Sequence, residues 1–153
     1  MNETVRNETA RNETVHLSNA GSGVEYVAPD ATVTVKIGAE HTGGQYELFE
    51  IDAPRADASP PHTESWSKAF YVLQGRILVQ AGDQGYDLGP GASISIPAGT
   101  VNTFSVLTPS AKFLAISQTG RMGAFFADLA GADPSDYAAL GEITSRHGVM
   151  VSL

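Results

Sequence analysis

Pro60-Pro61-His62-Thr63-Glu64-Ser65-Trp66-Ser67-Lys68-Ala69-Phe70-Tyr71-Val72-Leu73-Gln74-Gly75 is the stretch whose reading decides the fold. From Lys68 onward it alternates. Successive side chains of an extended strand point to opposite faces, so Lys68, Phe70 and Val72 share one face, and Gly75 closes the run as a turn residue. The first half is polar and places His62, Glu64 and Lys68 just before and at the start of that strand. A second stretch has a related form: Gly91-Ala92-Ser93-Ile94-Ser95-Ile96-Pro97-Ala98-Gly99-Thr100-Val101-Asn102-Thr103-Phe104. Here a short apolar run ends in a Pro-x-Gly turn and a new strand begins, with Asn102 and Phe104 on a common face.

Short β-prone runs surround these two stretches. They fall at Val24-Ala28, Thr32-Ile37, Gln45-Ile51, Ala69-Leu73, Arg76-Ala81, Ala92-Ile96, Asn102-Leu107 and Lys112-Ser117, separated by turn residues such as Gly43-Gly44, Gly82-Asp83 and Gly89-Pro90-Gly91. Strands at this spacing predict an all-β sandwich, jelly roll or barrel. In Gln45-Ile51 the alternation sets Tyr46, Leu48 and Glu50 on one face and Glu47, Phe49 and Ile51 on the other, so each face carries a carboxylate. After Ser117 the period changes. Met122-Leu129 reads as a short helix, Asp133-Pro134 as an N-cap followed by proline at the first helical position, and a second helix is expected to run to about Arg146 and stop at Gly148. The last residues, Val149-Leu153, can add an edge strand. The chain therefore divides into an arm over 1-19, a barrel over 20-118 and a helical tail over 119-153.

Composition narrows the chemistry. The 153 residues contain no cysteine, which excludes disulfides, thiolate zinc sites and cysteine nucleophiles. Only His16, His41, His62 and His147 could supply an imidazole, and of these His41 reads as a turn residue and His16 and His147 as structural or exposed. Nine basic residues against seventeen acidic ones, for a net charge of -8, disfavour nucleic acid and anionic membranes, which need clustered Lys and Arg. With no apolar run long enough for a bilayer and no leader-like start, the expectation is a soluble cytoplasmic protein. The N-terminus repeats Arg-Asn-Glu-Thr at 6-9 and 11-14. Its five-residue period suits neither helix nor strand, so the arm is read as a polar extension or as a segment that orders against a partner subunit.

The two quoted stretches resemble the paired signatures of the cupin superfamily. The segment Gly43-Glu50 and the tail Gly123-Leu129 further resemble the small bacterial cupins grouped with quercetin dioxygenases. The resemblance covers roughly residues 20 to 150 and implies a single-domain β-barrel of jelly-roll type. In metal-binding cupins the signatures supply two histidines, a glutamate and a third histidine. At the matching positions this chain has His62, Glu64, Lys68 and Asn102. One ligand of four survives. Lysine is a donor only and repels a cation, and asparagine is a poor ligand, so no metal cofactor is expected. The alternative is a weak metal held by His62 and Glu64 with Glu50 or Glu47 from the neighbouring strand.

The same four residues still converge if the barrel forms, and together they can do proton chemistry. His62 can take up or give a proton, Glu64 orients it or acts as base, Lys68 stabilises an enolate-like oxygen and Asn102 hydrogen-bonds a carbonyl. A plain structural reading stands beside this one: a buried Lys68-Glu64 pair that replaces the metal. Phe70, Val72 and Phe104 are expected to line the cavity, with Trp66 as a lid or cap and Tyr46 as a further contact whose face the alternation leaves open. The resulting expectation is a metal-independent isomerase, cyclase or dehydratase acting on a small, apolar, oxygenated substrate. Natural-product tailoring is implied only through the resemblance, since cupins of this kind include polyketide cyclases. The alternatives are a metal-dependent quercetinase-like dioxygenase and a non-catalytic ligand-binding barrel. Cupins of this size commonly form homodimers, so a dimer is expected.

Overall fold

The computed structural model describes residues 14-152. Apart from Thr14, the N-terminal repeat lies outside the described residues. The strands are β1 (Val24–Val27), β2 (Thr32–Ile37), β3 (Tyr46–Ala56), β4 (His62–Thr63), β5 (Lys68–Gln74), β6 (Ile77–Ala81), β7 (Gln84–Leu88), β8 (Ser93–Ile96), β9 (Asn102–Gln118) and β10 (Met150–Val151). Two helices, α1 (Arg121–Ala130) and α2 (Tyr137–Arg146), separate β9 from β10. The fold is an all-β jelly-roll barrel with a short C-terminal helical tail.

β9 organises the barrel. Its second half pairs with β3 on one side and β5 on the other, while its first half pairs with β6 and, at Asn102, with β4. One wall is thus β1-β2-β3-β9-β5-β8 and the other is β10-β4-β9-β6-β7, all pairs antiparallel. Sequence reading separates this strand into 102-107 and 112-117 because Thr108-Pro109-Ser110 looks like a turn. The chain instead stays extended and changes phase there. Asn102 and Val106 are buried on the inner face in the first half, and Ala111, Phe113, Ala115 and Ser117 in the second, so the inward positions switch from even to odd residues. A proline without an N–H donor sits where the strand passes from one wall to the other, as expected at a bulge.

The core follows the alternation. Phe49, Ile51 and Ala53 of β3, Phe70 and Val72 of β5, Ile77 and Val79 of β6, and Phe113 of β9 are all buried. Phe70, Phe104 and Phe113 meet edge to face with ring centroids 5.1 to 6.4 Å apart, a geometry favoured by the ring quadrupoles. Gly75, which ends β5, has φ +75°, and a Cβ there would come within 2.3 Å of the Ser110 carbonyl oxygen. Both the left-handed backbone and the close approach of β9 demand glycine.

Three further boundaries differ from expectation. β7 was not anticipated, since Gly85 and the polar Gln84 and Asp87 dilute its strand pattern. β3 continues to Ala56 despite Pro54. Helix α2 starts late: Asp133 spends its carboxylate on the backbone N–H and hydroxyl of Ser135, at 2.9 and 2.7 Å, and Asp136 is the residue that accepts from Ala139 N at 3.1 Å. Asp133 closes a local turn, and the cap passes to the next aspartate.

Candidate active site

Backbone pairing brings the four candidate residues together. Asn102 opens β9 between two neighbours, His62 of β4 and Ala81 of β6. Lys68 opens β5 between Ser117 of β9 and Ile96 of β8. A backbone bond from Gly99 N to the Glu64 carbonyl, 2.9 Å, ties the Pro-x-Gly turn to the loop that carries the carboxylate. The two sequence motifs are thereby joined at their polar ends.

A single oxygen is the focus. Glu64 Oε1 receives Lys68 Nζ at 2.5 Å and Asn102 Nδ2 at 3.0 Å, and His62 Nε2 lies 3.3 Å away. Among the described residues Oε2 makes no hydrogen bond. Trp66 Nε1 is the one sealed side-chain polar atom without a partner among them, so Oε2 retains an opening to solvent. Glu64, Lys68 and Asn102 are buried, whereas the His62 side chain is 26% exposed. Burial pushes the Glu64 carboxyl up, but the hydrogen bond from His62, the charge and hydrogen bond of Lys68 and the amide of Asn102 outweigh it and bring the group down to about 2. Lys68 moves down as well, because burial outweighs its attraction to Glu64. Its ammonium also lies 5.3 Å from the centre of the Phe70 ring, a cation–π contact.

His62 faces two acceptors. Nδ1 is 3.3 Å from the Pro60 carbonyl and Nε2 faces the carboxylate. A neutral ring can donate to only one of them at a time, which leaves the other nitrogen to handle a proton. Asn102 Nδ2 lies within reach of the His62 and Thr100 carbonyls as well, at 3.3 and 2.9 Å. Its two amide hydrogens are committed, so Asn102 holds the site rather than reaching outward.

Residues 48–116 match the Cupin domain family. The chain carries a cupin domain. Over 115 residues it is 23% identical to quercetin 2,3-dioxygenase of Bacillus subtilis (strain 168), which covers 74% of this chain and 34% of that protein. The chain thus spans about a third of that relative's length. Among solved structures, KdgF from Halomonas sp. aligns with a TM-score of 0.61 and 17% identity, covering 69% of this chain and 94% of KdgF. The polyketide cyclase RemF from Streptomyces resistomycificus aligns with a TM-score of 0.59 and 22% identity, covering 69% and 80% of the two chains. At such identities these structural likenesses speak to the fold.

The donor set of this site does not fit a transition metal. The Lys68 ammonium lies on the one carboxylate that pairs with His62 among the described residues, and Asn102 turns its donor, not its oxygen, toward the same atom. Among the described residues no group of three or more His, Asp and Glu is placed to hold a metal ion. Neither glutamate of β3 joins His62. Glu47 is buried and accepts from Gly123 N at 3.2 Å, and Glu50 pairs with Lys112 at 3.4 Å. Burial raises the Glu47 pKa, and the hydrogen bond from Gly123 offsets part of the rise.

The expected lining residues separate into groups. Phe70 and Val72 are buried in the packed interior, and Phe104, half-buried, leans on Phe70. Trp66 is only 4% exposed and packs against Phe125 of α1, with ring centroids 5.9 Å apart. Tyr46 lies on the outer face of β3 and is 46% exposed, away from the interior. A cleft of about 370 Å³ that the sequence reading did not find is lined by Ala81, Tyr86, Ile94, Ile96 and Thr100, among others. None of the four residues lines this cleft, but two of its walls are their register neighbours, Ala81 beside Asn102 and Ile96 beside Lys68. The cleft was hidden because β7, which carries Tyr86, reads weakly as a strand. A wider groove of about 480 Å³, between Thr32, Lys36, Glu50 and Asp52 on the outer face, is lined by no strand-register neighbour of the four residues. Its lysine is already held by the Asn19 and Ser22 carbonyls.

Proposed function

We propose that this cupin is a metal-independent acid–base enzyme that isomerises, cyclises or dehydrates a small, largely apolar, oxygenated molecule. The observation that carries this reading is the convergence of three donors on Glu64 Oε1, which uses one Lys68 N–H and leaves two more for a substrate oxygen. In this reading Glu64 stays ionised throughout. A carboxyl group held at about 2 is a weak base near neutral pH, so Glu64 orients the imidazole and His62 moves the proton. Lys68 stabilises the negative charge that develops on a carbonyl oxygen when a neighbouring C–H is deprotonated. Asn102 locks the carboxylate. The substrate approaches through the cleft between Ile94 and Tyr86, whose apolar walls suit a flat hydrophobic skeleton and whose phenol can meet an oxygen at its far end. The polyketide cyclase among the structural relatives supports the substrate class by analogy only.

The reading is tested with chelator-treated protein and a panel of hydroxylated aromatic ketones in D2O, followed by proton NMR. The expected result is deuterium entry next to the carbonyl, or a rearranged product, in the wild type and no such change in His62→Ala. In Lys68→Met the rate should fall by about a hundredfold or more. Dioxygen uptake that requires added iron, nickel, copper or manganese, with no exchange in its absence, would overturn the proposal in favour of a dioxygenase.

A further inference from the structure

The loop that carries His62, Glu64 and Trp66 is held from outside along its whole length by the end of the chain. Val151 of β10 pairs with His62 and Met150 with Thr63. Ser152 N donates to the Pro61 carbonyl at 2.7 Å. Ser65 Oγ donates to the His147 carbonyl at 3.2 Å, and Arg121 Nη1 donates to Ser65 Oγ at 3.2 Å. Between these contacts Gly148 takes φ +70°, and a Cβ there would sit 3.0 Å from Ser65 Oγ, so the two segments lie against each other with no side chain between them. Val149 is buried in the core with Trp66.

One contact between the helices stands at the start of this segment. His147 caps α2, and its Nε2 lies 2.6 Å from Asp128 Oδ2 of α1. The same ring stands edge-on to Phe125, centroids 5.8 Å apart, and Phe125 is the residue that covers Trp66. Arg146 adds a longer contact to the same oxygen, 3.3 Å. The path from Asp128 to the site is thus short and continuous on both routes: through His147 and residues 148-151 to His62, and through Phe125 to Trp66.

The geometry points to Asp128 and His147 as positioning residues of the site, a clasp that seats β10 against β4 and so sets the His62 imidazole against Glu64. The inference rests on reading His62 and Glu64 as the working pair. It assigns a role in the site to a histidine that the sequence places outside both motifs.

The test uses the full chain labelled with 15N at histidine and tryptophan. It has two reporters, the indole N–H of Trp66, the single tryptophan, and the imidazole of His62, identified by its loss in His62→Gln. The Asp128 side chain is 41% exposed, so Asp128→Ala is expected to fold. In that variant both reporters should shift and the Trp66 fluorescence should move to the red. Asp128→Asn keeps an oxygen that accepts from His147 Nε2 and should return both reporters to their wild-type positions. Leu88→Ala, buried at the end of β7 where it pairs with Ile77, serves as a control that lowers the melting temperature without touching the clasp, and it should leave both reporters in place. Unmoved reporters in Asp128→Ala and in His147→Ala, or equal movement in Leu88→Ala, would show a purely structural contact and overturn the proposal. Neither reporter needs a substrate, so a failed clasp and a failed acid–base reading give different results.

Discussion

Lys68 and Glu64 are each other's justification for being buried. Replacing the lysine by a shape-similar apolar residue strands a carboxylate that keeps only weaker donors. Lys68→Met is therefore expected to cost about 3–5 kcal/mol, and the double variant Lys68→Met/Glu64→Gln to recover most of that loss. Urea unfolding of the four members of the cycle measures both. Acid should act on the same pair in one direction. The folded Glu64 carboxyl, near 2, lies below its ordinary value of 4.5, so its contribution is complete above about pH 4.5 and fades as pH falls through about 2. The difference corresponds to about 3 kcal/mol. Burial moves Lys68 in the unfavourable sense, so the stabilising term belongs to the carboxylate. Unfolding free energies at pH 7, 4 and 2.5 should drop steeply in the wild type and less in Glu64→Gln. At this scale the resemblance to the two cupin signatures named the four residues, and strand register brings them together. It could not show that three donors would meet one oxygen, or that the Asn102 amide would be drawn to the Thr100 and His62 carbonyls. Those outcomes depend on rotamers and on turn carbonyls, which leave no mark in residue spacing.

Helix α1 is attached to the barrel by a buried carboxylate. Glu47 accepts from Gly123 N in the first turn, where the helix dipole favours negative charge, and a Cβ at residue 123 would lie 2.2 Å from Glu47 Oε2. Gly123→Ala should therefore lower the melting temperature although alanine is the better helix former. Gly141→Ala in α2 is the contrasting case. A Cβ there meets nothing within 4 Å, so the propensity gain of about 0.5–1 kcal/mol should appear as a higher melting temperature. Thermal unfolding of the two variants side by side checks both signs. The elements legible in the sequence were those with strong alternation, such as β3 and β5, where each buried position is followed by a more exposed one. β7 was not legible, for its only buried residue is Leu88. The short β4 could not be read either, since two residues carry no period, and it exists because Asn102 and Val151 offer edges on both sides.

The barrel as a whole was legible because its turns announce themselves: Gly75 and the Pro97-Ala98-Gly99 turn mark where strands end, and apolar alternation marks which face goes inward. The closing role of β9 was not, since Pro109 looks like an interruption and only the change of phase around it shows one strand serving two walls. The use of β9 by four other strands bears on how the molecule is made. During synthesis, Phe49, Ile51, Val72, Ile77 and Val79 all leave the ribosome before the strand that their own strands share as a hydrogen-bonding partner. No half-barrel can be completed and stored in the meantime, because pairing between segments distant in sequence yields nothing until the loop between them closes. A chain ended at residue 101 is accordingly expected to show no cooperative unfolding transition by circular dichroism, whereas the full chain shows one. The nascent protein must therefore carry its apolar faces unpartnered until residue 118 has emerged, and this is the interval in which a chaperone would have the most to shield.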